Sequence, residues 1–357
     1  MSFRSLLRGA ILTSAAIILM FLGAVSAWAQ HYLQTNLVSN ATDADLINPW
    51  GLTRSATSFW WVSDNGTDKS TLYTGSGTKQ SLVVTVAGAP TGVVFNGGAG
   101  FIVTGDTKSG SARFIFDTES GTIAGWSPGA DSHNNAIVEV NNPAGAIYKG
   151  LAIAAFSGTT YLYAANFKSG KVDVFNSNWM PATVPGGFTD LALPPHYAPF
   201  NIQTTGNNIF VTFAKQSAEL LAGTSADEEH GRGLGFVDEF DSSGNLLLRL
   251  QHGPWLNAPW GVALSPANFG QFSNNILVGN FGSGEIAAFD HTTGEFLGRL
   301  HGARGTLVID GLWAIMFGGG APNNGLTNEL FFTAGPNDES DGLFGKLTAI
   351  TPETGND

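Results

Sequence analysis

The chain of 357 residues contains no cysteine, and charged residues make up only 12% of it. Without cysteine there are no disulfide bonds and no thiolate chemistry, so the fold must be stabilised by packing. Basic side chains are especially scarce, with 16 Lys and Arg against 28 Asp and Glu. We therefore expect no nucleic-acid partner and no binding to anionic membrane surfaces, because phosphate recognition requires a basic face.

Helix signals are also scarce, and residues 216–226 are the one candidate. Glycine, by contrast, occurs 47 times. Short apolar runs separated by Gly, Asn, Ser and Thr clusters are typical of short strands joined by turns. The sequence therefore predicts an all-β protein. No Pro/Ser-rich linker interrupts it, so we expect a single domain over residues 30–357.

The first 29 residues have the three parts of a secretory signal peptide. Arg4 and Arg8 give a positive start, residues 10–25 are apolar, and residues 27–29 fit a small-residue cleavage site. A retained membrane anchor is the alternative, although the apolar run is short for a spanning helix. Residues 1–29 contain two Arg and no acid, so cleavage leaves 14 basic against 28 acidic side chains, a net charge of −14. No later stretch is apolar enough to span a bilayer, and we expect secretion to the periplasm or beyond.

Residues 258–300 form a unit that the rest of the chain repeats. Four short strand-like runs are separated by turn-forming clusters, and one such unit cannot bury both of its faces. Its opening, APWGV at residues 258–262, recurs along the chain. The copies are NPWGL (48–52), APTGV (89–93), IYKGL (147–151), APFNI (198–202) and IDGL (309–312). Spacings of this size are typical of propeller blades.

A second landmark sets the register of the units. In four units a polar residue lies nine residues before an apolar one, and we interpret it as the end of the second strand. These polar residues are Asp64, Asp106, Asn166 and Asn280. The sixth unit lacks a fourth strand, which residues 32–38 supply. The sequence thus predicts a six-bladed β-propeller whose ring is closed by the mature N-terminal strand completing the last blade, since closure removes exposed edges. An open stack of sheets is the alternative.

Three segments carry a resemblance to a known family. They are NPWGL (48–52), ANFKSGKVDVF (165–175) and GNFGSGEI (279–286). They resemble an uncharacterised family of secreted bacterial β-propeller proteins whose members often carry a PEP-CTERM sorting tail. The chain ends at Asp357 without an apolar tail, which favours free secretion. That family has no assigned activity. More distantly, the units resemble NHL-type and gluconolactonase-like six-bladed propellers.

The predicted topology brings two rings of residues to one mouth of the central channel. Loops that enter the innermost strands and loops that leave the second strands emerge on the same face. The residues that open the innermost strands include Trp50, Lys149, Phe200, Trp260 and Asp310. Two insertions, residues 227–230 (DEEH) and 337–342, fall on the same face. Aromatic openers suit a sugar or an aromatic ligand, because stacked rings give contact area at low entropic cost. Packing between blades is the alternative role for these rings.

The second ring has the chemistry of a metal site. The gluconolactonase-like resemblance implies a divalent metal held by Glu, Asn and Asp around the channel, and the candidates are Asp64, Asp106, Asn166 and Asn280. Oxygen ligands of this kind suit Ca²⁺ or another divalent cation. The early Glu that such a site requires is missing. Asn and Asp at strand ends also bond their own turns, which is the structural alternative.

We therefore expect a secreted, monomeric binding propeller whose ligand is a small molecule, a glycan, a peptide or a cell-envelope component. The alternative is a divalent-metal-dependent hydrolase or lyase of the gluconolactonase-like kind. The sequence shows no nucleophile or acid–base pair that decides between them.

Overall fold

The computed structural model describes residues 31–131, 133–224 and 227–350. Within them, six antiparallel sheets are arranged in a ring, so the protein is the predicted six-bladed β-propeller. The predicted signal peptide, residues 1–29, lies outside the described residues, as do residues 351–357.

Each blade contributes four strands that run in order from the axis outwards. In blades 1, 2 and 3 these strands are Pro49–Thr53, Trp60–Asp64, Lys69–Tyr73 and Lys79–Thr85; Pro90–Phe95, Phe114–Thr118, Thr122–Trp126 and Ile137–Asn141; Tyr148–Phe156, Thr159–Asn166, Lys171–Asn176 and Pro181–Ala182. In blades 4, 5 and 6 they are Tyr197–Thr205, Asn208–Gln216, Phe236–Phe240 and Leu246–Arg249; Pro259–Leu264, Ile276–Asn280, Ile286–Phe289 and Phe296–Arg299; Leu312–Phe317, Glu329–Ala334, Leu343–Ile350 and His31–Ser39.

A few short elements decorate these blades. They are the hairpins Ile102–Thr104 with Ser109–Ser111 and His301–Gly302 with Gly305–Thr306, the strand Glu228–Glu229, the 3₁₀ turns Asn65–Thr67 and Gly270–Phe272, and the helix Ala218–Leu221. The helix lies inside the one segment predicted to be helical, and the Ser217 side chain caps it by accepting from the Leu220 N–H at 3.0 Å. In the described part of the chain, every helix is too short or too polar to span a bilayer.

The N-terminal strand closes the ring, as the sequence predicts. His31–Ser39 pairs antiparallel with Leu343–Ile350 and becomes the outermost strand of blade 6. Tyr32 fixes this strand to blade 5, because its ring lies 4.9 Å from that of Phe269 and its hydroxyl donates to the Phe269 carbonyl. Blade 6 therefore combines the first described strand with the last three. Its innermost strand contacts that of blade 1, which completes the ring.

Apolar side chains between the blades form most of the core. Successive residues of a strand point to opposite faces of its sheet, so each blade contributes to two interfaces. In blade 3, Leu151 packs towards Val94 of blade 2, whereas Ala152 packs towards Ile202 of blade 4. This alternation explains why the strands are buried on both faces.

The glycine in the repeated opening is required by the close approach of the innermost strands. A Cβ atom at Gly92 would collide with the Leu151 backbone of the next blade, and one at Gly51 would collide with the Thr91 carbonyl. At Gly261 a Cβ would lie 2.6 Å from the Trp313 carbonyl oxygen. The repeat is therefore a record of strand-to-strand contact near the axis.

Two units depart from the predicted register. In blade 6, Ala314 rather than Gly311 lies opposite Gly261, so the unit begins three residues later than predicted and Trp313 opens it. In blade 2 the hairpin Ile102–Thr104 with Ser109–Ser111 precedes the second strand, which is Phe114–Thr118. The predicted position of Asp106 at the end of that strand was therefore wrong.

Replacing Gly92 by alanine tests the close approach. We expect Gly92→Ala to lower the free energy of unfolding by about 1–3 kcal/mol, because overpacking forces the innermost strands of blades 2 and 3 apart. Gly129→Ala is the control, since a Cβ at this exposed position meets no atom closer than 3.6 Å. Urea denaturation measures both variants. Equal stability of the two would contradict the assignment of Gly92 as a contact position.

Candidate functional site

The residues that open the six innermost strands are all buried at the centre of the ring. They are Trp50, Thr91, Lys149, Phe200, Trp260 and Trp313. Asp310, predicted as the sixth opener, is instead exposed in the loop before the strand, where its Oδ2 accepts from the Asn337 N–H at 2.9 Å. Gly311, which follows Asp310, matched the glycine of the repeated opening. The residue that opens the strand is Trp313, and alanine follows it.

Four aromatic openers form a plug across the channel. The Trp50 ring stacks on Trp313 with centroids 3.6 Å apart and meets Trp260 edge-on at 6.2 Å. It also reaches Phe200, 6.5 Å away on the opposite blade. Rings that meet across the axis fill it, and the exposed fractions of Trp50, Phe200 and Trp260 are only 2%, 0% and 3%. The predicted circle of aromatic residues is present. Their side chains pack against one another and offer no open surface on which a ligand could stack in this conformation.

Lys149 inserts a buried positive charge into this plug. Its Nζ lies 4.8 Å from the centroid of the Trp50 ring and 5.9 Å from that of Phe200, within the range of cation–π attraction. The same ammonium is 2.7 Å from Glu119 Oε1 and 3.9 Å from Glu228 Oε2. Burial alone would lower the pKa of Lys149, but the two carboxylates outweigh it and raise the pKa. The plug therefore holds a charged lysine.

Three carboxylates from alternate blades converge above Lys149. Glu119 leaves the second strand of blade 2, Glu228 lies in the insertion of blade 4, and Glu339 lies in that of blade 6. Burial raises the pKa of Glu339, and the negative charge of Glu228 adds to that effect. We call Glu119, Glu228, Glu339 and Lys149 the acidic mouth. It has three carboxylates for one ammonium, so negative charge is in excess.

Two asparagines bond carboxylates of the acidic mouth, and one of them, Asn48, also bonds the plug. Asn48 Nδ2 donates to Glu339 Oε2 at 2.5 Å, and Asn48 Oδ1 accepts from the Trp313 indole N–H at 2.9 Å. Asn65 Nδ2 donates to Glu119 Oε2 at 3.1 Å. These bonds hold the Glu119 and Glu339 carboxylates in fixed positions.

His230 stands at the solvent side of the acidic mouth. Its Nε2 is 3.0 Å from Glu228 Oε1, and its ring meets Phe281 edge-on at 5.0 Å. The bond to Glu228 raises the pKa of His230, although partial burial opposes it. About half of its side chain is exposed, with a relative accessibility of 47%, so protonation of His230 changes the charge that an approaching ligand meets.

Asn166 and Asn280 end their strands as predicted, yet their side chains bond turn backbone. Asn280 Oδ1 accepts from the Asn257 N–H at 2.9 Å, and its Nδ2 donates to the Glu285 carbonyl at 3.1 Å. Asn166 Oδ1 accepts from the Ser169 N–H at 3.2 Å, and its Nδ2 donates to the Gly145 carbonyl at 3.2 Å. The amide oxygens are therefore committed locally, which is the structural role that the sequence left open.

The two predicted aspartates also lie apart from the acidic mouth. Asp64 is completely buried, and burial raises its pKa well above the ordinary value, with a further contribution from Asp43. Asp106 is exposed in the hairpin of blade 2. Among residues 31–131, 133–224 and 227–350, no group of three or more His, Cys, Asp or Glu is arranged to hold a metal ion. Asp64 and Asp106 belong to no such group, and Asn166 and Asn280 end the second strands of blades 3 and 5.

The carboxylates converge on the face that the sequence analysis selected, but none of the three was singled out there. Both insertions lie there as predicted, yet neither Glu228 nor Glu339 was singled out within them. Glu119 was hidden because the hairpin shifted the register of blade 2. A search for acids directly after the second strand would have found it. Lys149 was recognised because it interrupts a ring of aromatic openers.

Replacing Lys149 by methionine tests its role as an internal cation. We expect Lys149→Met to lower the free energy of unfolding by about 3–5 kcal/mol, because Glu119 and Glu228 lose their counter-charge in a buried place. Lys171→Met, at an exposed position, is the control and should change stability by no more than about 0.5 kcal/mol. Urea denaturation of both proteins gives the comparison. A Lys149 variant as stable as the control would contradict the assignment.

Comparison with known proteins places the chain among viral relatives. No family model matches it. It is 31% identical over 338 residues to the uncharacterised protein R648 of Acanthamoeba polyphaga mimivirus, spanning 91% of this chain and 81% of that protein. It is also 31% identical over 339 residues to the uncharacterised protein L690 of the same virus, spanning 91% and 86%. The expected bacterial family and its sorting tail therefore stay predictions.

Two solved structures share the fold at low sequence identity. A streptogramin B lyase has a TM-score of 0.50 and 14% identity over 91% of this chain and 99% of its own. A protein of unknown function from Bacteroides thetaiotaomicron has a TM-score of 0.55 and 9% identity over 90% and 76%. Both likenesses bear on the fold alone. Because of its identity to the two viral proteins over most of both chains, this chain belongs to the family of the uncharacterised mimivirus proteins R648 and L690.

Proposed function

We propose that this chain is a binding propeller whose ligand carries a protonated nitrogen and sits on the acidic mouth. The observation that supports it is the convergence of Glu119, Glu228 and Glu339, from three blades, on the single ammonium of Lys149. Carboxylates in excess of their counter-charge repel one another, and a bound cation relieves that repulsion.

The energetic argument rests on partial burial. A cation about 4 Å from a carboxylate gains about 4 kcal/mol at an effective dielectric constant of about 20, before its desolvation is subtracted. The Glu119 side chain keeps 23% of its surface exposed, so a ligand can contact it. The Glu228 side chain is only 5% exposed and would attract the ligand by its negative charge without direct contact. The net charge of the chain, −12, favours the approach of the same class of ligand.

The chemistry of the acidic mouth narrows the predicted ligand classes. A basic peptide or a polyamine matches the negative charge, and the edge of His230 against Phe281 adds apolar contact for its methylene groups. A neutral sugar is less well matched, because the aromatic openers that would stack on it are buried in the plug.

The alternative, a divalent-metal-dependent hydrolase or lyase, receives less support. Two of its predicted ligands, Asn166 and Asn280, are already bonded to backbone groups. Binding of Ca²⁺ or another divalent cation stays a proposal that the titration below tests with Ca²⁺ as a second probe. Export directed by residues 1–29 is likewise a proposal, and it would place the acidic mouth in the periplasm or outside the cell.

Removing one carboxylate tests the proposed site. We expect spermidine, as a defined cationic probe, to bind the native protein, and Glu119→Gln to weaken binding by about five- to twentyfold. The matched control is Glu295→Gln, an exposed acid in a turn of blade 5. Isothermal titration calorimetry at low salt measures both. Spermidine binding that is absent, or equally affected by the two substitutions, would contradict the proposal, and tight Ca²⁺ binding lost in Glu119→Gln would favour the metal alternative.

The affinity for spermidine should rise with pH from about 5 to 8. Two groups act in the same direction. His230 has a raised pKa and loses its positive charge as pH rises, and Glu339, also with a raised pKa, gains its negative charge. Both changes make the acidic mouth more negative while spermidine stays protonated. His230→Gln should flatten the upper part of the profile. A profile that falls with pH would contradict the assignment.

A further inference from the structure

The channel holds a second cavity on the side of the plug away from the acidic mouth. Its volume is about 180 Å³, and it is lined by the halves of the innermost strands that lie farther from the acidic mouth. Trp260 and Asn201 belong to the lining where it meets the plug. Farther from the plug, most of the lining is apolar and includes Leu52, Val94 and Ile153. This cavity is separate from the proposed cation site.

One positive charge lines this cavity without a counter-charge. Arg54 Nε and Nη2 donate to the Phe317 carbonyl at 3.1 and 2.8 Å, and Nη1 makes a long bond of 3.4 Å to the Ser55 carbonyl. In the described part of the chain, Arg54 forms no ion pair with an acidic side chain, although 28 acids are present in the sequence. Burial lowers its pKa, and no carboxylate acts against that effect.

The guanidinium keeps donors available. It has five N–H groups, and the three bonds to carbonyls leave one on each terminal nitrogen. Those two nitrogens form the fork that binds a carboxylate with two parallel bonds. The guanidinium carbon lies 5.5 Å from the centroid of the Trp60 ring, but no described carboxylate neutralises its charge. Partly buried charges in proteins are normally paired, so this position beside the cavity suits an anion.

Gln203 supplies a second polar group on the opposite wall. Its Oε1 accepts from the Val262 N–H at 3.3 Å, which orients the amide, while its Nε2 donates to no described residue. Arg54 belongs to blade 1 and Gln203 to blade 4, so the two donors come from opposite blades. The walls are mostly apolar and would reject a fully hydrated anion such as phosphate.

We propose that this cavity binds a small monocarboxylate with an apolar body, held by the Arg54 guanidinium and assisted by the Gln203 amide. The size of the cavity limits the ligand, because pockets for drug-sized molecules measure roughly 300–1,000 Å³. A short-chain or monocyclic aromatic acid fits that limit. This proposal is independent of the cation site on the acidic mouth, and either can fail without the other.

A series of ligands that differ only in charge tests the proposal on the native protein. Benzoate, benzyl alcohol and benzamide share a ring, and of the three only benzoate carries a negative charge that would meet Arg54; none is a cation that the acidic mouth would bind. We expect calorimetry to give one benzoate site per chain and an affinity at least tenfold higher for benzoate than for the other two. Crystals soaked with 4-iodobenzoate should show the iodine inside the cavity. Equal affinities, or iodine bound elsewhere, would overturn the proposal.

Variants of the arginine give the second test. Arg54→Gln should weaken benzoate binding at least tenfold, whereas Arg54→Lys should retain part of it because the charge remains. Arg304→Gln removes the same charge from an exposed hairpin and should leave binding unchanged. Thermal unfolding establishes that each variant is folded, and the ligand series above does not depend on any variant. Benzoate affinity unaffected in a folded Arg54→Gln protein would overturn the proposal.

Discussion

The narrow axis of the ring is the constraint on which the rest of the structure depends. Six innermost strands approach so closely that Gly51, Gly92 and Gly261 leave no room for a Cβ atom. The residues just before the innermost-strand contacts place their side chains at the axis, and the large aromatic side chains among them fill it. Burial of apolar surface in that plug and between the blades replaces the disulfides that a chain without cysteine lacks.

One charged side chain makes the two ends of the channel different. Lys149 stands where a fifth aromatic opener would fit, and its ammonium draws Glu119 and Glu228 to one side of the plug. On the other side the innermost strands leave a mainly apolar cavity with the unpaired Arg54. The plug separates the two, so the cation and the carboxylate that we propose as ligands would lie at opposite ends of the channel.

The blade insertions show how a repeated fold acquires an individual site. Glu228 and Glu339 lie in segments that the repeat does not need, and Glu119 lies in a tight turn of blade 2. Loops on a rigid scaffold tolerate such changes because the core beneath them does not move. Membership of a family with two viral proteins identifies the chain by descent, while the chemistry has to be argued from these loops.

The sequence by itself determined the number of blades, the strand that closes the ring and the face on which the insertions lie. The number of blades follows from the repeated strand opening, and the closing strand follows from the pattern of residues 32–38. Both are local features of the sequence. The tertiary structure alone decided which side chains meet, because convergence depends on register. A hairpin moved Asp106 away from the rim and hid Glu119, and a three-residue offset replaced Asp310 by Trp313. Burial was likewise undetermined, since a tryptophan at a strand opening has the same sequence signature whether it faces a ligand or another tryptophan.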